Sequence, residues 1–243
     1  MSRNGEPVVI SDADQQPKRI NPGRLIVIGL TTPLIFAVCL FLPAGSIRWT
    51  KGWLFLAFFI TTVSGLVVFL QRVNPEIVVA RSRFHKGTKR WDKILLACLF
   101  PAFAALLVVA ALDDARFHWL PLPAWVVCLG YILLPFGMAV MTWVEAVNKF
   151  AEPTVRIQTD RGQTVIDTGP YAIVRHPLYT ASLPYFVGMA LVLGSLWALI
   201  PAVFSWLLIV VRTQWEDETL QAELPGYKAY AERVRYKLFP GIW

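Results

Sequence analysis

Apolar blocks about 20 residues long recur along this chain, and they limit its possible folds more than any single motif does. Runs 25–42, 53–70, 94–112 and 125–147 carry between them one charged residue, Glu145. At a rise of about 1.5 Å per residue, a helix of that length matches the hydrocarbon thickness of a bilayer. Lipid offers the backbone no hydrogen bonds, so such runs must close their own as helices. Only 16% of the 243 residues are charged, against about 25% in a soluble domain. Two shorter apolar stretches, 179–193 and 196–211, follow, and Gly194-Ser195 between them predicts a helical hairpin. Pro184 and Pro201 are expected to bend its arms. The prediction is an all-α, polytopic transmembrane bundle of about six membrane helices, ending in that hairpin and a cytosolic C-terminal tail. Residues 1–22 read as a disordered cytoplasmic tail, 23–147 as N-terminal membrane helices, and 148–243 as a separate C-terminal region.

Charge sets the orientation. The net charge of +7 would suggest nucleic acid in a soluble protein, but in a membrane protein Lys and Arg gather in the loops that stay cytoplasmic. The 72–93 loop holds Arg72, Arg81, Arg83, Lys86, Lys89, Arg90 and Lys93. It reads as a cytoplasmic loop, with anionic lipid as the alternative, and 76–83 as a short interfacial helix. The N-terminal tail, this loop, 149–178 and the C-terminal tail carry most of the Lys and Arg, whereas 44–52 and 113–121 carry few. Both termini are therefore expected in the cytoplasm, with 113–118 a short loop on the other side. A bacterial inner membrane is preferred over the endoplasmic reticulum. Cys39, Cys98 and Cys128 lie inside apolar runs without metal-ligand spacing and read as packing residues.

That orientation puts two polar segments on one face. In the first, Asp167 to Tyr179, Gly169-Pro170 is a turn signal. Arg175-His176-Pro177 stands at the mouth of a helix, where Pro suits the first turn and the helix dipole favours an anion. Tyr171 and Tyr179 supply rings with polar tips. In the second, Arg212 and Glu216 share a helix face at i,i+4, with Asp217 beside them. Asn148, with Glu145 and Lys149, ends the fourth run on the same side. Together these make a pocket of mixed charge suited to a zwitterionic ligand with an amino group and a carboxylate. The plainer alternative is a snorkelling Arg175, a capping His176 and a surface ion pair. No dinucleotide fingerprint, P-loop, zinc spacing or nucleophile elbow is present.

Gly169-Pro170-Tyr171, Arg175-His176-Pro177-Leu178-Tyr179 and, after the hairpin, Arg212, Glu216-Asp217 and Leu220 resemble the isoprenylcysteine carboxyl methyltransferase family. Gly226-Tyr227, Tyr230, Arg233-Val234 and Pro240 continue the likeness, which covers about the last 100 residues. The wider group includes phospholipid N-methyltransferases. Family members commonly carry two glutamates where this chain has Glu216-Asp217. The resemblance implies a methyltransferase whose catalytic region is 148–243, with S-adenosylmethionine as donor. It implies donor binding by Gly169, Tyr171, Arg175, His176, Pro177, Tyr179, Glu216 and Asp217. A hydrophobic or lipid-like acceptor would arrive through the bilayer, and membrane lipids rather than nucleic acid would be the partners. Transfer to a carboxylate needs alignment more than acid–base help, with Arg212 (Arg233 and Arg235 as further candidates) holding the carboxylate and Asn148 assisting. Transfer to an amine needs a base, and Glu216 or Glu145 are the candidates. The competing expectations are a membrane NADPH-dependent sterol- or steroid-type reductase and a non-catalytic lipid-binding protein.

Overall fold

The computed structural model describes residues 22–83 and 87–243. Residues 1–21 of the predicted disordered tail, and Lys86 of the basic loop, lie outside the described residues, while Pro22 opens the first helix. Among the described residues the chain is all-helical, with eight α-helices: α1 (Pro22–Ala44), α2 (Thr50–Val73), α3 (Pro75–Arg81), α4 (Arg90–Ala110), α5 (Ala124–Val147), α6 (Pro177–Val192), α7 (Leu199–Glu223) and α8 (Tyr227–Arg233). Four are long and apolar enough to cross a membrane: α1, α2, α5, and α4 with its continuation to Phe117. The other two arms of the predicted six differ in kind. α6 has 16 residues, and α7 is apolar in its first half and charged in its second.

Proline positions explain where several helices start. Pro75 and Pro177 each occupy the first turn of their helix, where a missing N–H costs nothing. The hairpin is present as expected, with Gly194 at φ +84° closing the turn between α6 and α7. The 113–118 segment is not the predicted loop. The α4 helix runs on through it as a π-helical stretch, Ala111–Phe117. The carboxylates that suggested a loop are satisfied by side chains of other elements. Ser195 Oγ donates to Asp113 Oδ2 at 2.6 Å and Leu120 N to Asp113 Oδ1 at 3.1 Å. Trp49 Nε1 donates to Asp114 at 2.7 Å, and Lys51 pairs with the same carboxylate.

Aromatic rings stack through the middle of the bundle. Phe36 of α1 meets Phe59 of α2 at 4.6 Å between centroids and Phe103 of α4 at 5.9 Å, and Phe103 meets Phe186 of α6 at 6.0 Å. α1 otherwise leaves Ile26, Leu30, Leu34 and Leu42 exposed, as a lipid-facing helix does. The closest helix contact is between α5 and α6. A Cβ added to Gly188 would lie 2.4 Å from Leu134 N, and one added to Gly130 would lie 2.5 Å from Val192 N. Hydrophobicity does not drive helices together inside lipid, and close backbone approach through small residues does. Gly188→Leu is therefore expected to force α5 and α6 apart and lower the unfolding midpoint in detergent by 5 °C or more, on the order of a 1–3 kcal/mol overpacking cost. A midpoint within 1 °C of wild type (roughly measurement scatter) would contradict this packing.

The α5–α6 contact hangs the N-terminus of α6 beside the C-terminus of α5. α3, the start of α4 and the end of α7 reach the same end of the bundle: Arg81 pairs with Glu145 at 3.0 Å and Lys89 with Glu223 at 2.6 Å. The two polar segments marked in the sequence meet at this end.

Candidate active site

Two buried ion pairs build the site. The first joins Arg175 and Asp217. Arg175 Nε and Nη2 donate to Asp217 Oδ1 and Oδ2 at 2.8 and 3.1 Å. Its Nη1 donates to the carbonyls of Val234 and Arg235, both at 2.8 Å. The backbone continues the staple, with Arg175 N to Tyr236 O and His176 N to Lys237 O at 2.9 Å. Asp217 also accepts from Tyr227 OH at 3.1 Å and Gln221 Nε2 at 2.7 Å, and lies 3.2 Å from His176 Nε2. Burial alone would raise its carboxyl, but hydrogen bonds from His176 and Arg175 outweigh that and hold it well below the usual carboxylate range. Arg175 stays charged for the complementary reason: burial works against the charge, and the bonds to Asp217 restore it.

The second pair joins Arg212 and Asp92. Arg212 Nε and Nη2 donate to Asp92 Oδ1 and Oδ2 at 2.7 and 3.2 Å, and Nη2 also donates to Pro153 O at 2.8 Å. Asp92 Oδ2 accepts Val155 N at 2.7 Å. The guanidinium lies 5.5 Å from the centre of the Tyr179 ring. The pair thus binds the first turn of α4, the middle of α7 and the 148–168 segment into one unit. That segment is itself ordered: Glu152 takes two bonds from Arg156 at 2.8 and 2.9 Å, and Gln158 Nε2 donates to Phe150 O at 2.7 Å.

Between these pairs lies a cleft open to solvent, with about 90 Å³ of internal space. Asn148, Tyr171, Arg175, His176, Tyr179 and Glu216 all face it. His176 and Tyr179 stack at 5.7 Å with rings 2° apart. Tyr179 OH donates to Glu216 Oε2. Among the described residues Glu216 forms no direct ion pair; Arg212, committed to Asp92, reaches it only through space, and its carboxylate faces the cleft. Asn148 donates through Nδ2 to Tyr171 OH at 2.7 Å and accepts Phe150 N at 2.8 Å. Burial pushes the phenols of Tyr171, Tyr227 and Tyr230 well above their usual value, so these are neutral hydroxyls at physiological pH. Thr154, 4% exposed, presents a buried Oγ1 with no hydrogen-bond partner among the described residues.

The geometry revises several expectations. Arg175 and Asp217 were expected to receive opposite ends of a zwitterion; they are instead each other's partners, and Asp217 is fully buried behind the cleft wall. Arg212 lies within electrostatic reach of Glu216 as expected, but it is not free to hold an acceptor carboxylate. It turns to Asp92, since a fully buried carboxylate at the head of α4 demands a counter-charge. Glu145 is taken by Arg81. Pro177 starts α6, and Gly169, at φ +58°, opens a short turn packed on Val147; neither lines the cleft. Arg233 bonds Asp167 at the surface, at 2.7 Å.

Asp92 went unnoticed in the sequence, although it is the single carboxylate between Glu76 and Asp113. An acid alone at the start of an apolar helix calls for a distant arginine, and that was its signal. Thr154 had none.

Residues 125–225 match the model of the phospholipid methyltransferase family. The likeness drawn from the sequence to that wider membrane group holds there; the match does not name the isoprenylcysteine carboxyl methyltransferases. The match covers α5 to the end of α7, the elements that carry both buried ion pairs apart from Asp92. No curated protein matches the chain.

Proposed function

We propose that this chain is an integral membrane methyltransferase that uses S-adenosylmethionine and acts on a lipid-like acceptor. The observation that carries this is Glu216: a carboxylate without a direct ion pair among the described residues, held by Tyr179 and facing a cleft next to apolar helices. A carboxylate left without a direct counter-charge near a membrane is costly unless a ligand supplies one. The donor's ammonium fits that role, and Tyr179 fixes the rotamer in which Glu216 receives it. Bound there, the donor supplies a methyl group made electrophilic by a sulfonium. The ordered 148–168 segment lines the cleft, and the neutral hydroxyl of Tyr171, which accepts from Asn148, keeps its own hydrogen to donate without competing charge.

A second reading concerns the acceptor atom. A carboxylate acceptor needs an arginine, and Arg212 is occupied by Asp92. The match to phospholipid methyltransferases favours a phospholipid amine; in that reading Glu216 would accept the proton released instead of holding the donor's ammonium.

Purified protein in detergent is expected to unfold at least 3 °C higher with saturating S-adenosylhomocysteine, because a ligand that binds only the native state must stabilise it. NADPH is expected to leave the midpoint unchanged. Stabilisation by NADPH alone would replace the methyltransferase with a reductase. Labelled donor with phosphatidylethanolamine or a prenylcysteine as acceptor then separates amine from carboxylate transfer.

A further inference from the structure

The segment Pro153–Val155 is pinned on three sides. Pro153 O accepts from Arg212 at 2.8 Å, Val155 N donates to Asp92 at 2.7 Å, and Val155 O accepts Lys89 N at 3.0 Å. The residue between them, Thr154, is therefore held in place by α4 and α7 together. It forms part of the cleft wall and is 4% exposed, yet its hydroxyl finds no partner among the described residues. Burying a hydroxyl unsatisfied is unfavourable, and fixing its backbone removes the freedom to turn it elsewhere. A threonine in this state is pre-set for a partner that arrives from outside.

We propose that Thr154 Oγ1 is a direct hydrogen-bonding contact for the methyl donor, which rests on the donor reading given above. The occupant is the donor and not the acceptor's tail because the wall mixes Glu152, Arg156, Gln158 and Gln163 with Val155, Val165 and Ile166, a lining for a polar molecule with an apolar face and not for a lipid chain. The sequence gives Thr154 no distinguishing motif; its role comes from the Asp92–Arg212 pair that clamps its neighbours.

Thr154→Val keeps the shape and removes the hydroxyl. Calorimetry of full-length protein in detergent, with S-adenosylhomocysteine and no acceptor, is expected to show affinity falling about tenfold, the size of one buried hydrogen bond. The ligand-free unfolding midpoint is expected to stay level or rise, because the variant no longer buries an unsatisfied group. Thr154→Ser is expected to bind within threefold of wild type (roughly 0.6 kcal/mol). A merely structural threonine would move stability and affinity down together. Valine affinity within twofold of wild type (about 0.4 kcal/mol) would overturn the contact while leaving the donor reading intact. Wild-type protein that fails to bind S-adenosylhomocysteine at all would overturn both.

Discussion

Arg175→Ala is expected to abolish donor binding and to lower thermal stability at the same time. The coupling follows from what the guanidinium holds. It neutralises Asp217, which is fully buried, and reaches the carbonyls of Val234 and Arg235. Removing one partner of a buried pair leaves an uncompensated charge, typically at about 3–5 kcal/mol. Here the cost falls toward the lower end, because His176, Gln221 and Tyr227 still contact Asp217. The 234–237 strap then loses its anchor, and with it the wall that seats His176. Arg175→Lys is not expected to rescue, since an ammonium cannot make the forked contact. The two assays are calorimetric binding of S-adenosylhomocysteine and thermal unfolding in the same detergent. Near-wild-type affinity with an unchanged midpoint would refute the anchoring role. Lost affinity with an unchanged midpoint would make Arg175 a direct ligand contact, as the sequence suggested. The pH dependence has a definite sign. Asp217 titrates below its ordinary value of 3.8, so its contribution is complete above that pH and fades as pH falls below it. A loss of activity between pH 5 and 7 would have another origin.

The long periodic elements were legible because lipid allows few alternatives. A 20-residue apolar run with no charge has one stable form, and α1, α2, α4 and α5 follow from that alone. The hairpin turn at Gly194 was legible because a glycine–serine pair interrupts an otherwise unbroken apolar stretch. Partner choice was not. The i,i+4 spacing of Arg212 and Glu216 is real and the two stay electrostatically coupled, yet Asp92, 120 residues away in sequence, offers a fully buried carboxylate and two bonds. The continuation of α4 through Asp113 and Asp114 was hidden for the same reason: two acids read as a loop until Ser195 and Lys51 are known to answer them. Local patterns specify elements, and long-range charge pairing decides what a site residue is free to do.

Glu216→Gln is the change that most directly tests what remains free. Glutamine keeps the side-chain shape, and its carbonyl still accepts from Tyr179, so the ligand-free fold is expected to unfold within 1 °C of wild type (about the scatter of such midpoints). Only the charge is lost. If the carboxylate holds the donor's ammonium, the affinity for S-adenosylhomocysteine is expected to drop by about 10- to 100-fold, the range for a hydrogen bond to a charged group. Methylthioadenosine, which lacks the amino-acid end, is expected to bind both proteins equally. That comparison isolates the ammonium from every other contact in the cleft. A different outcome carries its own meaning: unchanged affinity with turnover reduced by about 100-fold or more would make Glu216 a proton acceptor. Proton removal is required for an amine acceptor and not for a carboxylate, so that result would fix the acceptor class. Unchanged affinity together with unchanged turnover would leave Glu216 without a role and sink the cleft as a donor site.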